Sequence, residues 1–198
     1  DRSVQQFLLT HWARLGKLKG PYNTDEKLAM QLEAIHLTCP KFDPEDFQRG
    51  RYTIRECTLI NQIANTYSEA GQQKRAIDIL RQLLRYVENN CQELTGYANT
   101  FCLIAHNYAI ALGIEKHYSE SVEIADRGRK VCVYYGDYQF LPGFLAIQAE
   151  SNYFLGKERE SKKLYLQAYY VYEAFGDELN LKQMRQEMKA HLGIEMSE

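Results

Sequence analysis

Two asparagines of the sequence, Asn61 and Asn65, stand four residues apart and could bind a ligand through their side-chain amides. On an α-helix this spacing puts both side chains on the same face, one turn apart. Because an amide group both donates and accepts hydrogen bonds, such a pair can hold the backbone of an extended peptide whatever its side chains. The chemistry that these residues indicate is therefore binding.

The signatures of catalysis and of metal binding are missing from the sequence. It contains no GxxxxGKS or GxxxxGKT phosphate-binding loop, no GxGxxG or GxSxG motif and no HExxH zinc motif. The five histidines are scattered along the chain, and the five cysteines include no CxxC pair. We therefore predict a protein that is not an enzyme and that uses neither a metal nor another cofactor.

The overall charge and the hydropathy argue against two further classes of partner. The net charge of -2 and the pI near 6.3 provide no basic surface for DNA or RNA. No apolar run approaches the roughly 18 to 20 residues that cross a bilayer, and no signal peptide opens the chain. The odd number of cysteines fits a reducing compartment. We expect a cytoplasmic protein with no membrane partner.

The positions of glycine and asparagine reveal an internal repeat. Residues 130–137 resemble residues 170–177, and both segments are typical of the end of a helix closed by a glycine, Gly136 or Gly176. Asn90 is predicted to close an earlier helix in the same left-handed conformation. The two segments are 40 residues apart, and a repeat of 40 residues is typical of a stack of helical hairpins.

Small residues recur 12 positions apart within each repeat. The pairs are Ala64 and Ala76, Ala109 and Ser121, and Ala149 and Ser161. This pattern resembles the tetratricopeptide repeat (TPR), in which small residues at repeat positions 8 and 20 lie where two antiparallel helices touch. Since successive pairs are 40 to 45 residues apart rather than 34, we predict lengthened TPR-like hairpins.

Apolar residues spaced three and four apart predict helices along the chain, and no stretch shows the two-residue alternation of a strand. Asp43 is expected to cap the third helix, with Pro44 in its first turn. We predict an all-α, TPR-like superhelix over residues 1–198 as a single domain, made of about four antiparallel hairpins and a C-terminal capping helix. The predicted helices span residues 3–16, 25–38, 44–69, 73–89, 93–112, 119–135, 139–155, 158–175 and 178–192.

Placing the small residues at TPR position 8 sets the alignment of each repeat, which we call the TPR phase. This phase selects the residues that would line the concave inner face of such a stack, where the first helix of each hairpin lies. The predicted ligand-binding residues are Asn61, Asn65, His106, Asn107, Glu150, Tyr153 and Phe154. Further inner-face positions are Thr58, Ser68, Glu69, Leu103, Ile110 and Ala146. An alternative stays open for the asparagines, since Asn65 or Asn107 could instead bridge neighbouring helices.

A closer resemblance extends over most of the chain. Several segments are similar to the C-terminal TPR region of XRE-type helix-turn-helix regulators of Gram-positive bacteria, including Cys39–Glu45, Leu59–Gly71, Ala76–Leu80 and Ile124–Gly128. The better-known members of this family are peptide-pheromone regulators of the Rgg and PlcR kind. The match departs at residues 106–110, where relatives often have a Tyr-Asn-Leu-Ser-Lys stretch.

This resemblance implies a regulatory domain that binds a short peptide in the concave groove and forms a homodimer, as in quorum sensing. We expect the dimer to form through residues 158–192. The DNA-binding helix-turn-helix of such a regulator is expected upstream of Asp1 and is absent from this sequence, so DNA would be contacted only through that domain. A different function fits the repeats alone: a TPR scaffold that recruits another protein's tail, with no link to transcription.

Overall fold

The computed structural model describes residues 1–16 and 20–196, and these residues fold into α-helices joined by short turns and one longer segment. Within them lie nine helices and no β-strand, so the predicted all-α, TPR-like class is confirmed. The helices are α1 (Arg2–Leu15), α2 (Thr24–Thr38), α3 (Ile54–Glu69), α4 (Gln73–Asn90), α5 (Tyr97–Ile114), α6 (Tyr118–Tyr135), α7 (Leu141–Phe154), α8 (Glu158–Phe175) and α9 (Glu178–Leu192).

The helices group into two compact units, Asp1–Asn107 and Tyr108–Glu198. In the first unit, α1 packs on α2 and α3 packs on α4. In the second, α7 packs on both α6 and α8, and α9 covers α8. Leu181, Met184 and Met188 of α9 are buried against α8, which is the capping role predicted for this helix. That the whole chain forms a single domain stays a prediction.

The small residues spaced 12 apart lie inside the helical pairs. Each of the six is fully buried: Ala64, Ala76, Ala109, Ser121, Ala149 and Ser161. In the pair of α5 and α6 the contact is direct, because the Ser121 hydroxyl donates to the Ala109 carbonyl oxygen at 2.8 Å. The turns within two other pairs are closed by Gly71 and Gly156, whose φ angles of 76° and 73° lie in the left-handed region that favours glycine.

The helix ends predicted at the repeated glycines are confirmed, and the one predicted at Asn90 is wrong. Gly136 and Gly176 adopt left-handed conformations after α6 and α8, with φ of 69° and 68°. Asn90 is instead the last residue of α4, and its amide donates to the Tyr86 carbonyl oxygen at 2.9 Å. Cys91 follows with φ of -119°, and its backbone amide donates to the Val87 carbonyl oxygen at 3.0 Å, so the helix ends without a left-handed residue.

The predicted start of the third helix at Asp43 and Pro44 is also wrong. Helix α3 begins at Ile54, capped by Thr53, whose hydroxyl and backbone amide exchange hydrogen bonds with Glu56 in a capping box. Asp43 caps only a turn, in which its carboxylate accepts from the backbone amide of Glu45. The fifth helix likewise starts later than predicted, at Tyr97 rather than residue 93.

Residues 39–53 form a packed segment because aromatic side chains fix them to α4. Phe42, Phe47 and Tyr52 are buried, with ring centroids 5.5 to 6.1 Å apart. The backbone amide of Tyr52 donates to the Tyr86 hydroxyl of α4 at 2.7 Å. These contacts come from residues far along the chain, so the local Asp-Pro pattern could not reveal them.

The packing of α6 on α7 generates a testable prediction at Gly128. A Cβ atom there would lie 2.1 Å from Cζ of Phe144, whose ring is fully buried and would have to shift against its neighbours to make room. Gly128→Ala should therefore lower the stability of the protein by about 1–3 kcal/mol. The matched control is Gly113→Ala in α5, whose nearest neighbour would be 3.9 Å away. It should leave stability unchanged or raise it by up to about 1 kcal/mol. Thermal unfolding of both variants checks this, and equal melting temperatures would contradict the packing.

Candidate ligand-binding surface

The first helix of the second hairpin, α3, buries one side and leaves the opposite side accessible. Ile60, Ile63 and Ala64 are fully buried against the core, whereas Thr58 and Asn65 are partly exposed. This is the orientation that the TPR phase predicts for an inner face. The accessible stripe of α3 carries a hydroxyl and an amide, which are hydrogen-bonding groups of the kind that a peptide backbone needs.

Asn61 and Asn107 bond to each other and join α3 to α5 within the first unit. The Asn107 amide nitrogen donates to the Asn61 side-chain oxygen at 3.1 Å, and Asn61 is only 2% exposed. Asn107 therefore bridges two helices, which is the alternative given for it in the sequence analysis, and Asn61 shares this role. Direct contact of Asn61 with a ligand would require this buried bond to open.

Asn65 and His106 retain more surface than Asn61. The structure shows no hydrogen bond to the Asn65 amide within the part of the chain it describes, and this side chain is partly exposed. His106 is partly buried beside Asn107. Burial lowers the pKa of His106, and a hydrogen bond with Asn107 opposes that shift. The imidazole is therefore favoured in its neutral form at pH 7, in which it can both donate and accept.

In the second unit, Tyr153 and Phe154 belong to an aromatic cluster. Their ring centroids are 5.3 Å apart, and the His191 ring of α9 stacks on Tyr153 at 4.4 Å. Tyr118 stacks on the other predicted ring, Phe154, at 4.8 Å. Phe154 is 48% exposed, so the cluster presents an apolar surface to solvent. Neither Tyr118 nor His191 stands at helical spacing from residues 153 and 154, so the sequence pattern could not reveal them.

Glu150 lies exposed beside this aromatic cluster. The loss of surrounding water and the negative charge of Glu187 raise the pKa of Glu150, while His191 opposes the shift. Glu150 and Phe154 also line a small cavity of about 140 Å³ between α5 and α7. This face of the second unit therefore combines exposed aromatic surface with a carboxylate.

A larger cleft, of about 630 Å³, lies in the first unit between α1 and the start of α3. Its walls include Phe7, Arg14, Arg55, Thr58 and Leu59. Of these, only Thr58 was predicted to face inward. The α1 residues were missed because this helix has none of the small-residue pairs that set the repeat phase in the rest of the chain.

One wall of this cleft is held by the buried carboxylate of Glu56, which is 7% exposed. Glu56 accepts hydrogen bonds from the Thr38 hydroxyl at 2.5 Å, from the backbone amide of Thr53 at 2.7 Å and from the Cys39 thiol at 3.2 Å. Gln6 of α1 donates in turn to the Thr38 hydroxyl at 2.6 Å. The carboxylate thus connects α1, α2 and α3 around the cleft.

Neither a metal centre nor a membrane segment can be built from the described part of the chain. Residues 1–16 and 20–196 contain no group of three or more histidine, cysteine, aspartate or glutamate side chains that could hold a metal ion. None of their helices is long and apolar enough to cross a bilayer.

The network around Glu56 predicts a pH-dependent contribution to stability. Burial alone would raise the pKa of Glu56, but the hydrogen bonds from Thr38, Thr53 and Cys39 outweigh it and hold the pKa below its ordinary value. A lowered carboxylate pKa stabilises the fold above the unfolded value, about 4.3, and this contribution is lost as the pH falls through the folded value.

Glu56→Gln should therefore cost about 1–3 kcal/mol of stability at pH 7, because the donors of Thr38 and Thr53 lose a charged acceptor. The difference from the unchanged protein should shrink below about pH 4.3. Urea unfolding between pH 3 and pH 7 measures it. Glu33→Gln, at an exposed position of α2, is the matched control. A difference that stays constant over this range would contradict the account.

Comparisons with known proteins place this geometry among TPR-like folds. Neither a protein-family model nor a curated protein sequence matches the chain. Among solved structures it is similar to aspartyl phosphate phosphatase F from Bacillus subtilis, with a TM-score of 0.76 at 13% identity over 97% of this chain and 46% of the phosphatase. The chain thus spans about half the length of that protein.

Two further solved structures share the fold. One is PlcR from Bacillus thuringiensis in complex with the peptide PapR7 and DNA, with a TM-score of 0.62 at 17% identity over 92% of this chain and 69% of PlcR. The other is a putative kinesin light chain from Podosopora anserina with nearly identical TPR-like repeats, with a TM-score of 0.60 at 13% identity over 96% of this chain and 95% of that one. The resemblance to PlcR-type regulators found in the sequence therefore holds at the level of the fold, and the chain has the TPR-like fold.

Proposed function

We propose that the chain is the regulatory part of a bacterial helix-turn-helix transcriptional regulator and that it binds a short peptide on the accessible faces of its first helices. The observation that carries the proposal is the set of amide and aromatic side chains that the structure leaves accessible on α3 and α7, at the positions that the TPR phase selects. PlcR, which shares the fold, was solved with a peptide and DNA, and this supports a peptide as the ligand class.

Each unit by itself offers one kind of contact to a peptide. In the first unit, the Asn65 amide can donate to and accept from the peptide backbone. In the second, the exposed ring of Phe154 and the neighbouring Tyr153 suit apolar side chains of the ligand, which would remove aromatic surface from water. Binding of this kind needs no catalytic residue.

Homodimerisation and DNA binding complete the proposal for the intact regulator. Large apolar side chains stay exposed on α8 and α9: Tyr170 is 55%, Phe175 is 56% and Leu179 is 81% exposed. These side chains supply apolar surface for a dimer interface formed by residues 158–192. Two-fold dimers suit regulators that bind two half-sites of DNA. DNA would be contacted by a separate helix-turn-helix domain.

The second candidate function is a scaffold that binds the tail of another protein. The TPR-like repeats of the putative kinesin light chain favour it, because they match nearly all of this chain and nearly all of their own. The sequence encoded upstream of Asp1 separates the two candidates. A helical domain of about 55 to 70 residues with a basic recognition helix supports the regulator.

A direct test adds fractionated peptides from the native culture medium to the intact protein and measures its affinity for DNA upstream of neighbouring genes. We expect one fraction to bind and to change that affinity. Binding of a peptide without any effect on DNA would favour the scaffold. If no fraction binds, the peptide proposal fails.

Once a peptide is bound, Asn65→Ala should weaken its affinity by about two- to tenfold, which corresponds to one hydrogen bond of about 0.5–1.5 kcal/mol. The melting temperature should change little, because the structure shows no partner for this amide among the described residues. The matched control, Asn89→Ala, removes an exposed amide from the second helix α4 and should leave both quantities unchanged.

Asn61→Ala should behave in the opposite way, lowering the melting temperature because it breaks the buried bond to Asn107. Isothermal titration and thermal unfolding measure the two effects. If Asn65→Ala lowers the melting temperature sharply and leaves affinity unchanged, Asn65 is a structural residue and its assigned role is wrong.

A further inference from the structure

The cleft of the first unit has the size and the wall chemistry of a binding site. Its volume of about 630 Å³ lies within the range of about 300–1,000 Å³ that is usual for ligand pockets. It is bounded by α1, the end of α2 and the start of α3, all within residues 1–107. The predicted inner-face residue Thr58 lies in its wall, so the cleft is continuous with the accessible stripe of α3.

Apolar side chains form part of the cleft wall. Phe7 of α1 is 50% exposed, and its ring packs on His11 with centroids 4.0 Å apart. Ile54 of α3, which is partly exposed, completes this apolar portion. An apolar ligand group in the cleft would cover the Phe7 ring, and removing such surface from water favours binding.

The charged side chains of the cleft that remain available to a ligand are positive. Arg14 and Arg55 line it, and within the described residues the structure shows neither an ion pair nor a hydrogen bond for either guanidinium group. Glu56 is the one carboxylate in the described wall, and hydrogen bonds from Thr38 and Thr53 already occupy it. The unpaired guanidinium groups therefore suit an anion, and their planar geometry matches a carboxylate.

From this combination we propose that the cleft binds the carboxy-terminal end of the peptide. The free carboxylate pairs with Arg14 and Arg55, and the last apolar side chains lie on Phe7 and Ile54. A peptide terminus places a negative charge directly beside apolar side chains, which is the arrangement that the walls complement. This inference rests on the proposed function and adds the polarity of the bound peptide and the chemistry of its end.

The test uses two pools of tetrapeptides labelled with fluorescein at the amino terminus, with aliphatic or aromatic residues at the last two positions. One pool ends in a free carboxylate and the other in a carboxamide, so the two differ by one charge. Fluorescence anisotropy with the full chain should show that the carboxylate pool binds at least about tenfold tighter. Arg14→Gln and Arg55→Gln should each remove most of that difference.

The matched control is Arg49→Gln, which removes an exposed arginine of the same unit that does not line the cleft. It should keep the full preference for the carboxylate pool, and circular dichroism should show that all three variants keep their helices. Equal affinity of the two pools, or an equal effect of Arg49→Gln, would overturn the inference. So would displacement of the peptides by inorganic phosphate at similar concentration, which would indicate a general anion site.

A failure of the carboxy-terminal site can be distinguished from a failure of the proposed function. If peptides from the culture medium bind and the cleft variants do not change their affinity, the carboxy-terminal site is wrong and peptide binding stands. If neither synthetic pool binds, the cleft is not an apolar carboxylate site. Peptide recognition elsewhere on the first helices is then judged by the native peptides alone.

Discussion

The close approach of paired helices at small residues is the constraint on which the rest of this structure depends. Alanine or serine at these contacts is fully buried, and in α5 and α6 the separation is short enough for the Ser121 hydroxyl to reach the Ala109 carbonyl oxygen. Ser151 of α7 then donates to Ser121 at 3.1 Å and extends the contact to the next helix. A larger side chain at such a point would separate the helices and change which residues each one buries.

This contact also decides which side chains are available for binding. Because Ala64 faces the partner helix, the neighbouring side of α3 must carry Thr58 and Asn65 toward solvent. The same phase in α7 buries Ala149 and exposes Glu150 and Phe154. The accessible amide and aromatic groups are therefore a consequence of hairpin packing, and the binding surface proposed for the chain follows from the same residues that hold the hairpins together.

Features that are local in sequence could be predicted, and features made by distant residues could not. Gly136 and Gly176 end their helices through their own backbone conformation, so their spacing was sufficient. The segment 39–53 was misread because its structure depends on Tyr86 of another helix. The bond between Asn61 and Asn107 was likewise not predictable, because the two residues lie on different helices. The arginines of the first cleft were missed for the same reason, since only the fold brings α1 beside α3.

The most direct test of the central claim, that the first helices bind the peptide, is site-specific photocrosslinking. Benzoylphenylalanine would replace Asn65 or Phe154 on first helices, and Asn89 or Glu123 on second helices, in four separate proteins. Asn65 is partly exposed and the other three positions are exposed, so the two controls are at least as accessible to a peptide as the first-helix positions. We expect a bound peptide to crosslink at Asn65 or Phe154 and at neither Asn89 nor Glu123. Crosslinks confined to the second helices would contradict it.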